Sequence, residues 1–202
     1  NAPSEDINHR EKSIKAAFAM SKAIDQLNLD LGRTEKDKLS VGIGINSGDC
    51  IVGNMGSDKR FDYTVLGDAV NLASRLEGQS ANYGMQIILG EETIKELSSE
   101  EFKYFELDLI SVKGKLEPVS IYTVFEELKV IDEIEIFMKE HNQFLENYRS
   151  KKWNEAIKHI EKYRFSVPEF TLYYTLFFER INDLSKQSLP EDWAGVYVAT
   201  TK

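Results

Sequence analysis

Apolar residues recur at helical spacing from Glu11 to Leu27. Ile14, Phe18, Ile24 and Leu27 lie close to one face with Ala17 among them, while Lys12, Lys15 and Lys22 point away. This predicts an amphipathic helix that ends before Gly32. From Leu39 to Ser47 the period falls to two: Val41, Ile43 and Ile45 alternate with Gly42, Gly44 and Asn46. That pattern predicts a strand with one apolar face and one nearly bare face, and bare positions in a strand mark the close approach of a backbone or a ligand. Ser47-Gly48-Asp49 is a turn signal. Strands are expected over Cys50–Met55 and Phe61–Leu66, on either side of a polar tip at Ser57-Asp58-Lys59-Arg60. Gly67-Asp68 opens a helix to Glu77, with Asp68 as N-cap or first-turn acid and Gly78 as its stop. A strand at Met85–Leu89, a short helix at Glu91–Leu97 and strands at Phe102–Leu107 and Val119–Glu126 follow, the last two flanking a turn at Val112-Lys113-Gly114-Lys115. This order predicts an α/β sandwich of mixed topology.

Beyond Leu128 the pattern becomes helical throughout. Ile131–Tyr148, Trp153–Tyr163 and Pro168–Leu184 read as three helices, and Ser166 and Glu169 have capping-box spacing ahead of the third. The aromatics Phe170, Tyr173, Tyr174, Phe177 and Phe178 are expected in a core, and Leu189–Val198 as a turn and strand folding back. The chain therefore divides into an α/β portion at 1–128 and a small all-α tail at 129–202.

The 202 residues, 42% of them apolar and 11% aromatic, suffice for a packed core. A net charge of −9 argues against nucleic acid as a partner, which calls for a basic patch. An anionic nucleotide then needs locally placed Lys or Arg, or a metal ion. The lone Cys50 has no disulfide partner and is read as a small buried hydrophobe, so a reducing, cytoplasmic setting is expected, with the cytoplasmic part of a membrane-anchored protein as the alternative. No apolar run reaches the length of a membrane span, so no membrane contact is expected from this segment. His9, His141 and His159 form no zinc pattern.

Asn71 and Arg75, four apart on the expected helix, project from one face, while Ala69, Leu72, Ala73 and Leu76 can pack on a sheet. Taken alone, the pair also fits a solvated helix face. Lys113 on its Lys-Gly-Lys turn offers a point charge for phosphate, or merely a soluble hairpin tip. Thr64 offers one hydroxyl, able to donate or accept, or merely a good strand residue.

The run VGIGINSGDCIVGNMGSDKRFDYTVLGDAVNLASRLE, Val41 to Glu77, closely resembles class III adenylyl and guanylyl cyclase catalytic domains of the bacterial adenylyl cyclase type. The resemblance extends from Asn1-Ala2-Pro3 through Val112-Lys113-Gly114-Lys115 to Phe125. It implies a ferredoxin-like cyclase fold that begins partway through the domain, a fragment cut at its N-terminal side. It also implies conversion of ATP to 3′,5′-cyclic AMP and pyrophosphate. Asn71 would orient the ribose, Arg75 would stabilise charge on the transferred phosphate, Lys113 would bind the terminal phosphates and Thr64 would meet the purine. GTP is the alternative substrate, because Thr64 does not exclude guanine. Two Mg²⁺ or Mn²⁺ ions are implied, held by aspartates preceding Asn1, so no metal ligand is assigned in this sequence and the chain alone is expected to be inactive. A homodimer with shared sites is implied, and the glycines Gly42, Gly44, Gly48, Gly53 and Gly56 are read as belonging to a hairpin reaching toward the second subunit. The alternative function is a catalytically inactive dimerisation or regulatory module. Phe144–Tyr163 in turn resembles a single tetratricopeptide-type hairpin, which cannot bury its own faces and must pack on the cyclase body or a partner. Incomplete N-terminal strands would leave a sheet edge open to swapping.

Overall fold

The computed structural model describes residues 4–57, 60–97, 101–111, 117–126 and 134–198. Helix α1 (His9–Asp30) is followed by strands β1 (Ile43–Ile45), β2 (Ile51–Ser57) and β3 (Arg60–Leu66). Then come helices α2 (Asp68–Glu77) and α3 (Ser80–Tyr83), strand β4 (Ile87–Gly90), helix α4 (Glu91–Ile94), and strands β5 (Lys103–Ser111) and β6 (Val119–Phe125). The tail holds α5 (Ile134–Arg149), α6 (Trp153–Tyr163), a 3₁₀ turn (Pro168–Phe170), α7 (Thr171–Leu184) and the two-residue strand β7 (Tyr197–Val198).

One sheet runs in the order β1-β4-β6-β5-β7. Its two edge strands are parallel to their neighbours, and its β4-β6 and β6-β5 pairs are antiparallel. Strands β2 and β3 form a separate antiparallel hairpin, in register from Ile51↔Leu66 to Ser57↔Arg60. The five-stranded sheet has helices on both faces. Ile14 and Ala17 of α1 pack with Ile87, Leu89, Phe102 and Val124 on one face. On the other, Leu72 and Leu76 of α2 share a single core with Phe105, Leu107 and Ile110 of β5 and with the tail aromatics Phe137, Phe144, Phe170, Tyr173 and Phe177. The turn and strand expected at the C-terminus are present, with Tyr197 opposite Ile110 on the sheet edge.

A bulge in β5 between Glu106 and Asp108 explains how the tail attaches. It breaks the two-residue alternation, so both Leu107 and Asp108 are buried, and it leaves Leu107 without a partner in β6. The Tyr173 hydroxyl donates to the Leu107 carbonyl at 2.7 Å and satisfies it. Next to it the His141 Nε2–H donates to the Glu106 carbonyl at 2.6 Å, and Arg149 Nη2 pairs with the Glu106 carboxylate at 2.6 Å. The expectation that the helical hairpin packs on the α/β body is met by Arg149 and by Phe144, Tyr148, Ala156 and Ile160, which share one core with Phe105, Leu107 and Ile110 of β5.

Several local expectations are corrected. The strand expected over Leu39–Ser47 is only three residues long, because β1 finds a ladder partner only in Ile87–Leu89. Asp68 is a first-turn acid and not a cap: Gly67 occupies the N-cap position without a side-chain bond. Ser166 does not cap the third tail helix. Its hydroxyl turns back to the Lys162 carbonyl at 2.9 Å, and the 3₁₀ turn led by Pro168 intervenes. Cys50 is exposed, not buried, because it lies at the foot of a hairpin with no sheet behind it. Phe178 is only partly buried, unlike the four other aromatics named with it. Lys113, with the rest of its turn, lies outside the described residues, as do Asp58, Lys59 and Asn1-Ala2-Pro3.

Candidate active site

The position of α2 follows from the bare face of β1. A Cβ added at Gly44 would sit 2.2 Å from the Ala73 carbonyl oxygen and 2.4 Å from the Glu77 nitrogen. One at Gly42 would meet the Ser80 hydroxyl at 2.1 Å. The close backbone approach read from these glycines is therefore that of the chain's own α2 and α3. This corrects their assignment to a hairpin; of the glycines so assigned, Gly53 and Gly56 do lie on the β2–β3 hairpin. Asn46, the next residue on the bare face, donates from Nδ2 to the Ala69 carbonyl at 3.1 Å and fastens the first turn of α2. Sequence reading had placed Asn46 on that face without giving it a task.

Helix α2 buries Leu72 and Leu76 and turns its polar side outward. Asn71 is exposed and Arg75 half-buried, one turn apart. Neither side chain hydrogen-bonds to another described residue, so both are available to a ligand. Thr64 is half-buried on β3, opposite Gly53, two residues before the strand ends and Gly67 leads into α2. Thr64, Asn71 and Arg75 thus lie on consecutive elements joined by one residue.

Beside the first turn of α2 lies a cavity of about 270 Å³, lined by Asn46, Ser47, Asp49, Asp68, Glu91 and Glu92 among others. Its four carboxylates would repel a polyphosphate. Asp49, Asp62 and Asp68 are all exposed. Among the described residues no group of three or more His, Cys, Asp or Glu is placed to hold a metal ion.

The profile of the adenylate and guanylate cyclase catalytic domain matches residues 1–126. The chain belongs to this cyclase family. An adenylate cyclase of Anabaena cylindrica is 41% identical over 127 residues, covering 59% of this chain and 25% of that protein. The terminal-differentiation adenylate cyclase of Dictyostelium discoideum is 37% identical over 116 residues, covering 56% of this chain and 5% of its own length. Among solved structures, the adenylyl cyclase CyaB from P. aeruginosa superimposes with a TM-score of 0.54 at 32% identity, over 65% of this chain and 67% of that one. The guanylyl cyclase Cya2 does so with 0.51 at 31%, over 61% of each. The chain thus spans about a quarter of the Anabaena relative it matches.

In this cyclase domain the mixed α/β sheet and the amphipathic α2 stand as expected, and the matched residues stop where β6 ends. What sequence reading missed is a buried cluster behind α3. The Tyr83 hydroxyl donates to Asp108 Oδ2 at 2.7 Å, and Arg180 Nη1 reaches the same oxygen at 2.6 Å. Burial pushes the Asp108 carboxyl up, against the pull of Arg180 and Tyr83. Burial opposes the Arg180 charge most strongly, but Asp108, Tyr83 and Tyr148 together outweigh it and raise the guanidinium's pKa. Residues 25 and 72 apart in sequence leave no local signal of such a cluster.

Proposed function

We propose that this chain is the part of an adenylyl cyclase catalytic domain that holds the substrate and stabilises the transition state. The ribose 3′ hydroxyl of ATP loses its proton as its oxygen bonds to the α-phosphorus, the bond from that phosphorus to the oxygen bridging to the β-phosphate breaks, and 3′,5′-cyclic AMP, pyrophosphate and H⁺ form. Asn71 orients the ribose and Arg75 neutralises charge growing on the phosphoryl oxygens. A preorganised donor of this kind contributes about 3–4 kcal/mol. Lys113 binds the terminal phosphates and Thr64 contacts the adenine.

The observation that carries this reading is the unengaged pair Asn71 and Arg75 on a helix locked to β1 through Gly44. A merely solvated face would not need its backbone fixed so closely. Mg²⁺ or Mn²⁺ would be held by residues outside those described, and the 202-residue chain alone forms no product. The β2–β3 hairpin supports a homodimer with shared sites: Ile51, Tyr63 and Leu66 are 70%, 62% and 55% exposed on an element separate from the main sheet. Residues 1–128 form the cyclase portion, and 129–202 a tail whose α5–α6 pair is tetratricopeptide-like. An ATP-dependent chain with a free thiol works in the cytoplasm.

Equal concentrations of ATP and GTP supplied to the full-length protein with Mg²⁺ or Mn²⁺ test the reading. Cyclic AMP as the main product supports it. Cyclic GMP in excess overturns the base assignment. Neither product from a folded dimer favours the regulatory module.

A further inference from the structure

Helix α2 does not end freely. The Gly78 and Gln79 nitrogens donate to the Ser74 and Leu76 carbonyls, and the Tyr83 nitrogen donates to Gln79, so α2 runs on through a helical turn into α3. Gln79 is 3% exposed and Tyr83 fully buried. Tyr83 is eight residues after Arg75, so whatever fixes Tyr83 fixes the C-terminal end of the helix that carries Arg75.

Tyr83 is held by Asp108 of β5, and the tail in turn holds Asp108. The Tyr83 hydroxyl and Arg180 Nη1 share Asp108 Oδ2, while Asp108 Oδ1 accepts from the Leu109 nitrogen at 2.9 Å. Asp108 is 1% exposed and fully engaged. The Arg180 guanidinium lies 4.1 Å over the Tyr197 ring of β7 and 4.7 Å over Phe177, so two aromatic rings contact it. Leu172 of α7 abuts α3 directly: a Cβ at Gly84, which has φ +67°, would meet the Leu172 Cβ at 2.5 Å. A buried ion pair is a poor source of net stability, because desolvating both charges offsets their attraction. Its better-attested use is to fix one arrangement among several similar ones.

We propose that Arg180, acting through Asp108 and Tyr83, is a positioning residue by which the helical tail sets the pose of α2 and hence of Arg75. This rests on the cyclase reading above. The tail is then a working part of the catalytic body and not an appendage. A clamp that acts only on the transition state is sensitive to displacement on the ångström scale. Loosening the relay should therefore lower turnover and leave ATP affinity nearly untouched.

The test is a double-mutant cycle in the full-length protein, with cyclic AMP formation read as kcat and KM. Tyr83→Phe severs α3 from Asp108 and leaves the ion pair intact. Arg180→Gln removes the guanidinium. Should Arg180→Gln fail to fold, Asp108→Asn/Arg180→Gln, which leaves no lone buried charge, replaces it. Each is measured alone and with Arg75→Ala. Expected is a fall in kcat of about tenfold with KM within about twofold, and no further fall in the Arg75→Ala background. A kcat unchanged by Tyr83→Phe and the Arg180 variant overturns the proposal. So does an equal loss in both backgrounds, which would mark a general structural effect. Failure of the cyclase reading shows separately, as Arg75→Ala retaining wild-type turnover or the wild type forming no cyclic AMP; either outcome removes the basis of the relay.

Discussion

Replacing Gly44 by alanine should damage the protein, whereas the same change at Gly53 should not. Alanine in a strand is intrinsically better than glycine by about 0.5–1 kcal/mol, since less backbone entropy is lost on folding. At Gly53 a new Cβ meets nothing within 4 Å, so that gain is unopposed. At Gly44 the new Cβ would lie 2.2 Å from the Ala73 oxygen and 2.4 Å from the Glu77 nitrogen. Both are backbone atoms of one helix, so no side chain can rotate away. Ordinary contact requires α2 to retreat from β1 by about 1 Å. Overpacking of this kind costs about 1–3 kcal/mol, and here the upper half of that range applies, because Leu72 and Leu76 must move with the helix. For a chain of this size a loss of about 2–3 kcal/mol lowers Tm by roughly 5–10 °C. Calorimetry of the wild type, Gly44→Ala and Gly53→Ala measures it. A Gly44→Ala protein as stable as the wild type would refute the packing of α2 on β1 described above.

Two buried histidines make the tail sensitive to acid. His141 donates from Nε2 to the Glu106 carbonyl, so its Nδ1 accepts from the Tyr174 hydroxyl at 2.9 Å, and the Tyr174 oxygen accepts from His159 Nε2 at 2.9 Å. Burial holds both rings neutral and lowers their pKa values to about 4 and about 3. The unfolded chain protonates them near pH 6.5. Stability is thus fully present above pH 6.5 and falls as the pH drops toward the folded values, by about 2 kcal/mol between pH 6.5 and 5.5 for the two together. Urea unfolding across that range checks this, and a flat profile would contradict the buried neutral pair. Cys50 is exposed, so a thiol reagent should label the native protein at the rate of a free cysteine. Protection until unfolding would place Cys50 in an interface or a core.

Much of this architecture was readable in the residue pattern, and the exceptions have physical causes. The helices α1 and α6 were legible because their buried residues, such as Ile14 and Ala17 or Ala156 and Ile160, repeat at helical spacing. Gly42 and Gly44 announced a close approach, but the pattern does not say of what, and the answer was α2 and α3. Cys50 was misjudged because its hydrophobicity is local information, whereas its exposure depends on a hairpin that leaves the sheet. Ser166 and Glu169 had the spacing of a cap, yet Pro168 imposed a tighter turn first. Asn71, Arg75 and Thr64 could be named as candidates because they lie within one continuous segment. Asp108 and Arg180 were not, because their meaning arises only when the tail folds onto β5.

The most direct test of the account is the kcat for cyclic AMP formation from ATP by the full-length protein and its Asn71→Ala and Arg75→Ala variants. Each variant should lower kcat by about 10²–10³, the scale of one lost transition-state donor, with the folded dimer retained. Variants that turn over ATP as fast as the wild type would show that α2 carries a solvated surface and not the catalytic clamp.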